Sequence, residues 1–123
     1  MTIDTVRDYC LSKPDATEGM PFGDEVLVLK AGGKMFSLLR LDGPPWTVTL
    51  KCEPERAVAL RERFDAVQPG YHMNKQHWNT IEYGRLDGTL VRKLIDHSYD
   101  LIVLSLKKSE RARLEALGWT ALE

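Results

Sequence analysis

The sequence predicts an α+β domain, an antiparallel sheet with helices packed on one face. Three observations carry this. Two apolar runs, residues 26–29 and 35–41, flank Gly32-Gly33, the chemistry of a tight hairpin. Residues 46–51 alternate, with Val48 and Leu50 on one side and Thr47, Thr49 and Lys51 on the other. Apolar residues recur at helical spacing near both termini. No repeat, low-complexity tract or linker divides the 123 residues, so residues 1–123 are read as one domain.

Thr2 can cap a first helix whose apolar stripe is Ile3, Val6 and Cys10, and Pro14 marks where that helix has stopped. Residues 15–23, with Gly19, Pro21 and Gly23, read as a loop into Val26-Leu27-Val28-Leu29, a run too short and β-branched for a helix. The strand across Gly32-Gly33 ends before Asp42-Gly43-Pro44-Pro45, which cannot join a central ladder. The alternating strand follows, and Pro54 opens a helix carrying Ala57, Leu60 and Phe64 inward with Arg56, Glu62 and Arg63 outside. Pro69-Gly70 closes the next connection, and residues 78–83 read as a further strand. Asp87-Gly88 starts a long helix with a core stripe of Val91, Leu94, Ile95, Ser98, Leu101 and Ile102. A last helix, from about Ser105 or Lys107, ends at Gly118.

Charge limits the function classes. Lys and Arg number 17 against 18 Asp and Glu, a net of −1, so no global basic field draws the chain to nucleic acid. A nucleic-acid role requires the basic residues to segregate onto one face. The longest apolar runs fall far short of the roughly 18 residues of a membrane span, and the N-terminus has no signal-peptide core. A soluble, cytoplasmic protein is expected. Cys10 and Cys52 form no CxxC pair and suit reduced, buried thiols.

The densest run of functional side chains is Pro69-Gly70-Tyr71-His72-Met73-Asn74-Lys75-Gln76-His77-Trp78-Asn79-Thr80-Ile81. Its rings offer stacking surfaces and its amides both donate and accept, the equipment used on bases or on another polar partner. The same pattern is produced when Tyr71 and Trp78 anchor a long loop to the core and the amides satisfy turn backbone. His72 and His77 are five residues apart and point apart on either a helix or a strand, so no metal site is expected. His97, beside Asp96, suits a solvated or capping role. Neither cysteine nor Ser98 sits in a nucleophile motif, and no phosphate loop follows the glycines; the chain is read as a non-enzymatic protein with no cofactor. Locally, Lys30, Lys34, Arg40 and Lys51 face only Asp42 between residues 30 and 51. Lys51, Thr47 and Thr49 are expected to share a face with Trp78 and Thr80.

These residues resemble the MmcQ/YjbR family, small bacterial proteins with a frataxin-like (CyaY-like) α+β fold described as a double-wing DNA-binding motif. The resemblance runs through nearly the whole chain. It is carried by Pro21-Phe22-Gly23, Lys34-Met35-Phe36, Leu50-Lys51-Cys52 with Pro54, Asn74-Lys75-x-His77-Trp78-Asn79 and Ser98-Tyr99. Lys107 departs from it, since relatives often have proline before the basic pair. The resemblance implies DNA binding through the sheet face and two hairpin wings, with Lys51, Asn74, Lys75, His77 and Trp78 as the surface. The local charge count adds Lys34 and Arg40 as wing contacts. The alternative is a protein- or small-ligand-binding module using the surface from Tyr71 to Trp78. A metal-handling role by analogy with frataxin would need a carboxylate-rich helix face, and the first helix offers only Asp4 and Asp8 around Arg7.

Overall fold

The computed structural model describes residues 1–70 and 73–120. The order of elements is α1 (Ile3–Leu11), β1 (Thr17–Gly19), β2 (Val26–Ala31), β3 (Lys34–Arg40), β4 (Thr47–Lys51), α2 (Pro54–Arg63), β5 (Val67–Pro69), β6 (Trp78–Glu82), a 3₁₀ turn (Tyr83–Arg85), α3 (Gly88–Leu104) and α4 (Lys108–Ala116). The six strands form one sheet in the order β1-β2-β3-β4-β6-β5, and every neighbouring pair is antiparallel. This is the expected α+β class with two short strands added. β1 lies within the segment expected to be a loop, and β5 within the segment expected to be only a connection. Both are three residues long and form the two edges of the sheet, where short strands limit unwanted pairing.

Local chemistry sets the helix starts. Thr2 and Thr5 form a reciprocal capping box, Thr5 N–H donating to Thr2 Oγ1 at 3.3 Å and Thr2 N–H to Thr5 Oγ1 at 2.8 Å. Asp87 accepts Thr89 N–H at 2.7 Å at the start of α3. Glu53 caps α2 ahead of Pro54 by accepting the amides of Glu55 and Arg56 at 3.1 and 3.0 Å. α4 ends at Gly118, whose φ of +109° lets Trp119 N–H return to the Leu114 carbonyl at 2.9 Å.

The sheet is covered by helices on one side. Register places Leu27 beside Leu39, Leu39 beside Val48, and Val48 beside Ile81, and all four are buried. α3 crosses this layer, and its Tyr99 ring meets Phe36 edge-on at 5.3 Å. Phe36 sits at an irregularity between Leu29 and Lys30 where the β2–β3 register shifts; the bulge turns it inward beside Ser37, and both are fully buried. α1 is held to α3 by Tyr9 Oη donating to Asp96 at 2.6 Å and by a Lys13–Asp96 ion pair. α2 reaches the same side, since Asn79, which lies opposite Leu50, donates to the Ala57 carbonyl at 3.3 Å. Trp119, after α4, donates its indole N–H to buried Asp100 on α3 at 2.9 Å.

The other side of β4 and β6 is free of these helices and carries Thr47, Thr49 and Lys51 opposite Glu82, Thr80 and Trp78. Thr49 and Thr80 share a hydroxyl contact at 2.9 Å. Among the described residues no helix is long and apolar enough to cross a membrane.

Candidate nucleic-acid interface

The end of β4 is where the predicted residues gather. Lys51 pairs in register with Trp78, and the segment 73–77 runs directly into β6 beside it. That segment is a tied turn. Asn74 Oδ1 accepts Gln76 N–H at 2.9 Å, the Asn74 carbonyl accepts His77 N–H at 3.1 Å, and the His77 carbonyl accepts Cys52 N–H at 2.8 Å. From α2, Arg61 Nη1 donates to the Lys75 carbonyl at 2.8 Å and to Asn79 Oδ1 at 3.4 Å. The turn thus hangs from β4 and α2 together, leaving Asn74, Lys75 and Gln76 exposed and His77 half-buried.

The connection from β4 to α2 is fixed from α3. Ser98 is fully buried, donates to the Phe36 carbonyl at 2.6 Å and accepts Lys51 N–H at 2.9 Å. The next link is His97, expected to be solvated or capping, whose Nε2 accepts Glu53 N–H at 3.1 Å. Burial, then the charge of Arg56, holds the His97 imidazole below its usual pKa of 6.5, against the opposing carboxylates of Asp100 and Glu53. The same connection contains Cys52, whose thiol burial pushes its pKa up, and Cys10 is likewise raised to about 11 by burial. Both cysteines are free and buried.

Of the seven residues expected at the interface, Lys51, Asn74, Lys75, His77 and Trp78 lie at this one end of the sheet. Two do not join them. Lys34 turns to the helix side, its Nζ donating to the carbonyl and hydroxyl oxygens of Ser105 at 3.2 Å each, where a cation suits the C-terminus of α3. Arg40 stands at the far end of β3, about 20 Å from Lys34 at the strand rise, and its Nε donates to Asp42 at 2.8 Å. Trp78 shares the face with Lys51 as expected but is only 9% exposed, so it serves as an anchor of β6 rather than an open stacking ring. The Asn74 carbonyl groups, both backbone and side chain, close their own turn. Tyr71 and His72, the remaining aromatic residues of this run, lie outside the described residues.

One contributor had no signal in the sequence. Arg61 looks like any charged residue on an amphipathic helix until the fold sets it under the turn. Gln76 joins Pro54, Glu55, Val58 and Arg61 in lining an open cleft of about 540 Å³ between α2 and the turn. The cleft mixes a carboxylate with a guanidinium, so acidic groups border this corner as well as basic ones.

Known proteins are similar to this chain in both sequence and backbone. The YjbR family model matches residues 11–101, which include the capped β4–α2 connection, the turn before β6 and Ser98. The chain is 35% identical over 113 residues to the uncharacterized protein YbdF of Escherichia coli O157:H7, covering 90% of this chain and 92% of that one. It is 32% identical over 119 residues to the uncharacterized protein YjbR of Escherichia coli K12, covering 95% of this chain and all of the other. A crystal structure of a Deinococcus radiodurans protein with a DUF419 domain superposes with a TM-score of 0.86 at 36% identity, over 93% of this chain and 88% of that one. A Pseudomonas syringae protein superposes with a TM-score of 0.72 at 26% identity, over 83% of this chain and 99% of that one. With sequence and backbone in agreement over most of its length, the chain belongs to the YjbR family.

Proposed function

We propose that this protein is a DNA-binding module whose contact surface is the end of the sheet formed by Lys51 and the turn at residues 73–77. The observation that carries the reading is the register of β4 with β6. It sets Lys51, Thr49 and Thr80 on the helix-free side, next to the exposed Asn74, Lys75 and Gln76. Lysines supply phosphate contacts, while hydroxyls and amides hydrogen-bond phosphate, sugar or base edges. Lys34 and Arg40 take no part, being engaged by Ser105 and Asp42. With a net charge of −1 and Glu55 beside the turn, affinity is modest and strongly salt-dependent. A labelled duplex titrated by fluorescence anisotropy tests this. Binding should weaken as salt rises and be weaker, with a shallower salt dependence, in a folded Lys51→Gln/Lys75→Gln variant.

The cleft supports a second reading. Pro54, Val58, Glu55, Arg61 and Gln76 give it apolar walls and charges of both signs, which fits a small zwitterionic ligand or a peptide end better than a phosphate backbone. A free amino acid or short peptide that shifts the amides of Glu55, Val58 and Gln76, with no such shift from the duplex, would favour this reading.

A further inference from the structure

Pro21-Phe22-Gly23 takes no part in the interface above, yet it lies in an unusual part of the surface. Phe22 is 64% exposed, and Met20 and Trp46 are 44% and 46% exposed. The three belong to two loops, residues 20–25 before β2 and residues 41–46 before β4. The strands bring these loops to the same end of the sheet, opposite the turn at residues 73–77. Val26 pairs with Arg40, and Leu41 N–H donates to the Glu25 carbonyl at 2.8 Å, so the loops are joined.

Both loops are held in shape. Trp46 packs over Gly43 so closely that a Cβ there would lie 2.5 Å from the indole, Arg40 Nε donates to the Asp42 carboxylate at 2.8 Å and holds its pKa below the usual carboxylate value, and in the other loop Gly23 N–H donates to the Met20 carbonyl at 3.3 Å. The aromatic groups are therefore presented without a large ordering cost on binding. The two loops carry Asp24, Glu25 and Asp42 against Arg40, and across from Thr47 the same end of the sheet carries Glu82 with Arg85; Arg40 pairs with Asp42 and Arg85 with Glu82, so the remaining charge, that of Asp24 and Glu25, is acidic. That sign disfavours nucleic acid and anionic lipid and favours a cationic partner.

We infer that Met20, Phe22 and Trp46, bordered by Asp24 and Glu25, form a docking surface for a basic, apolar protein segment. The segment's apolar side chains pack on Phe22 and Trp46 while its lysines or arginines meet the two carboxylates. Because the surface stands at the opposite end of the sheet from Lys51, it can be occupied independently of the proposed DNA contact.

The test is a heteronuclear NMR titration of the whole protein with a ten-residue peptide of alternating lysine and leucine, beside a twin with glutamate in place of lysine. The basic peptide should shift the amides of residues 20–25 and 41–46 and the Trp46 indole. Its affinity should drop roughly tenfold or more in Phe22→Ser/Trp46→Ser, as for loss of aromatic anchors, and also in Asp24→Lys/Glu25→Lys, which leaves the aromatic groups in place. The acidic twin should not bind. Shifts confined to other residues, equal binding by the twin, or unchanged affinity in the charge-reversed variant would each overturn the inference. A short DNA duplex that shifted these same amides would assign the surface to nucleic acid instead.

Discussion

The hydroxyl of Ser98 accepts the backbone N–H of Lys51 at 2.9 Å while donating to the Phe36 carbonyl at 2.6 Å. One side chain on α3 thereby joins β3 to β4 at the point where the bulge interrupts regular pairing, and it holds the residue at the centre of the proposed contact. Ser98→Ala leaves two backbone groups without that partner. A loss of about 2 kcal/mol is expected, read as a lower urea midpoint, and a variant as stable as the parent would show that the bridge is dispensable.

A second prediction concerns the tie between α1 and α3. Asp96 is largely covered and takes both the Tyr9 hydroxyl and the Lys13 ammonium, and burial together with this bond raises the Tyr9 pKa. Asp96→Asn leaves Lys13, itself mostly covered, without its countercharge, and should destabilise the fold by about 3 kcal/mol. Tyr9→Phe removes only one hydrogen bond and should cost about 1 kcal/mol. Equal losses in denaturant unfolding would contradict the ranking.

The His97–Glu53 bond makes stability depend on pH. Because the folded pKa lies below the ordinary 6.5, the fold favours neutral imidazole, and protonation removes the acceptor from Glu53 N–H. Stability from this group is complete above 6.5, falls as pH drops towards the lowered folded value, and levels off beneath it. His97→Gln keeps an acceptor without titrating. The stability difference between parent and variant should change as pH falls through 6.5 towards the lowered folded value; a constant difference would mean that the imidazole does not bear on folding.

Gly70 tests how tightly β5 is set against β6. Its amide donates to the Trp78 carbonyl at 2.9 Å, and an added Cβ would lie 2.8 Å from Trp78 Cβ and 3.1 Å from that carbonyl oxygen. Backbone cannot yield as a flexible side chain does, so Gly70→Ala should cost about 2 kcal/mol and shift the Trp78 indole resonance. An unperturbed indole would show that the strands separate easily.

Much of this architecture was legible from short-range chemistry. Gly32 and Gly33 adopt φ of +57° and +81°, as the hairpin between two apolar runs required, and Thr2, Pro54, Asp87 and Gly118 mark helix ends by local hydrogen bonding. β1 and β5 were not legible, because three residues are too few for alternation and Thr17-Glu18-Gly19 has no apolar member. The interface was legible in part. Alternation placed Lys51 with Thr47 and Thr49, and register confirmed Trp78 and Thr80 as their neighbours. Counting charge along the chain could not reveal that Lys34 lies beyond a bulge and faces α3, nor that Arg40 stands at the opposite end of its strand. Burial of Trp78 was equally hidden, since an indole has the same composition whether it stacks on a partner or anchors a strand.

The most direct test of the proposed DNA contact is the salt dependence of duplex binding, measured for the parent and for a folded Lys51→Gln/Lys75→Gln variant. Removing one lysine–phosphate pair should flatten the slope of log K against log salt by about 0.9, so the variant should bind more weakly with a slope shallower by about 1.8. Parallel slopes, or no binding by the parent even at low salt, would contradict a phosphate contact at Lys51 and Lys75.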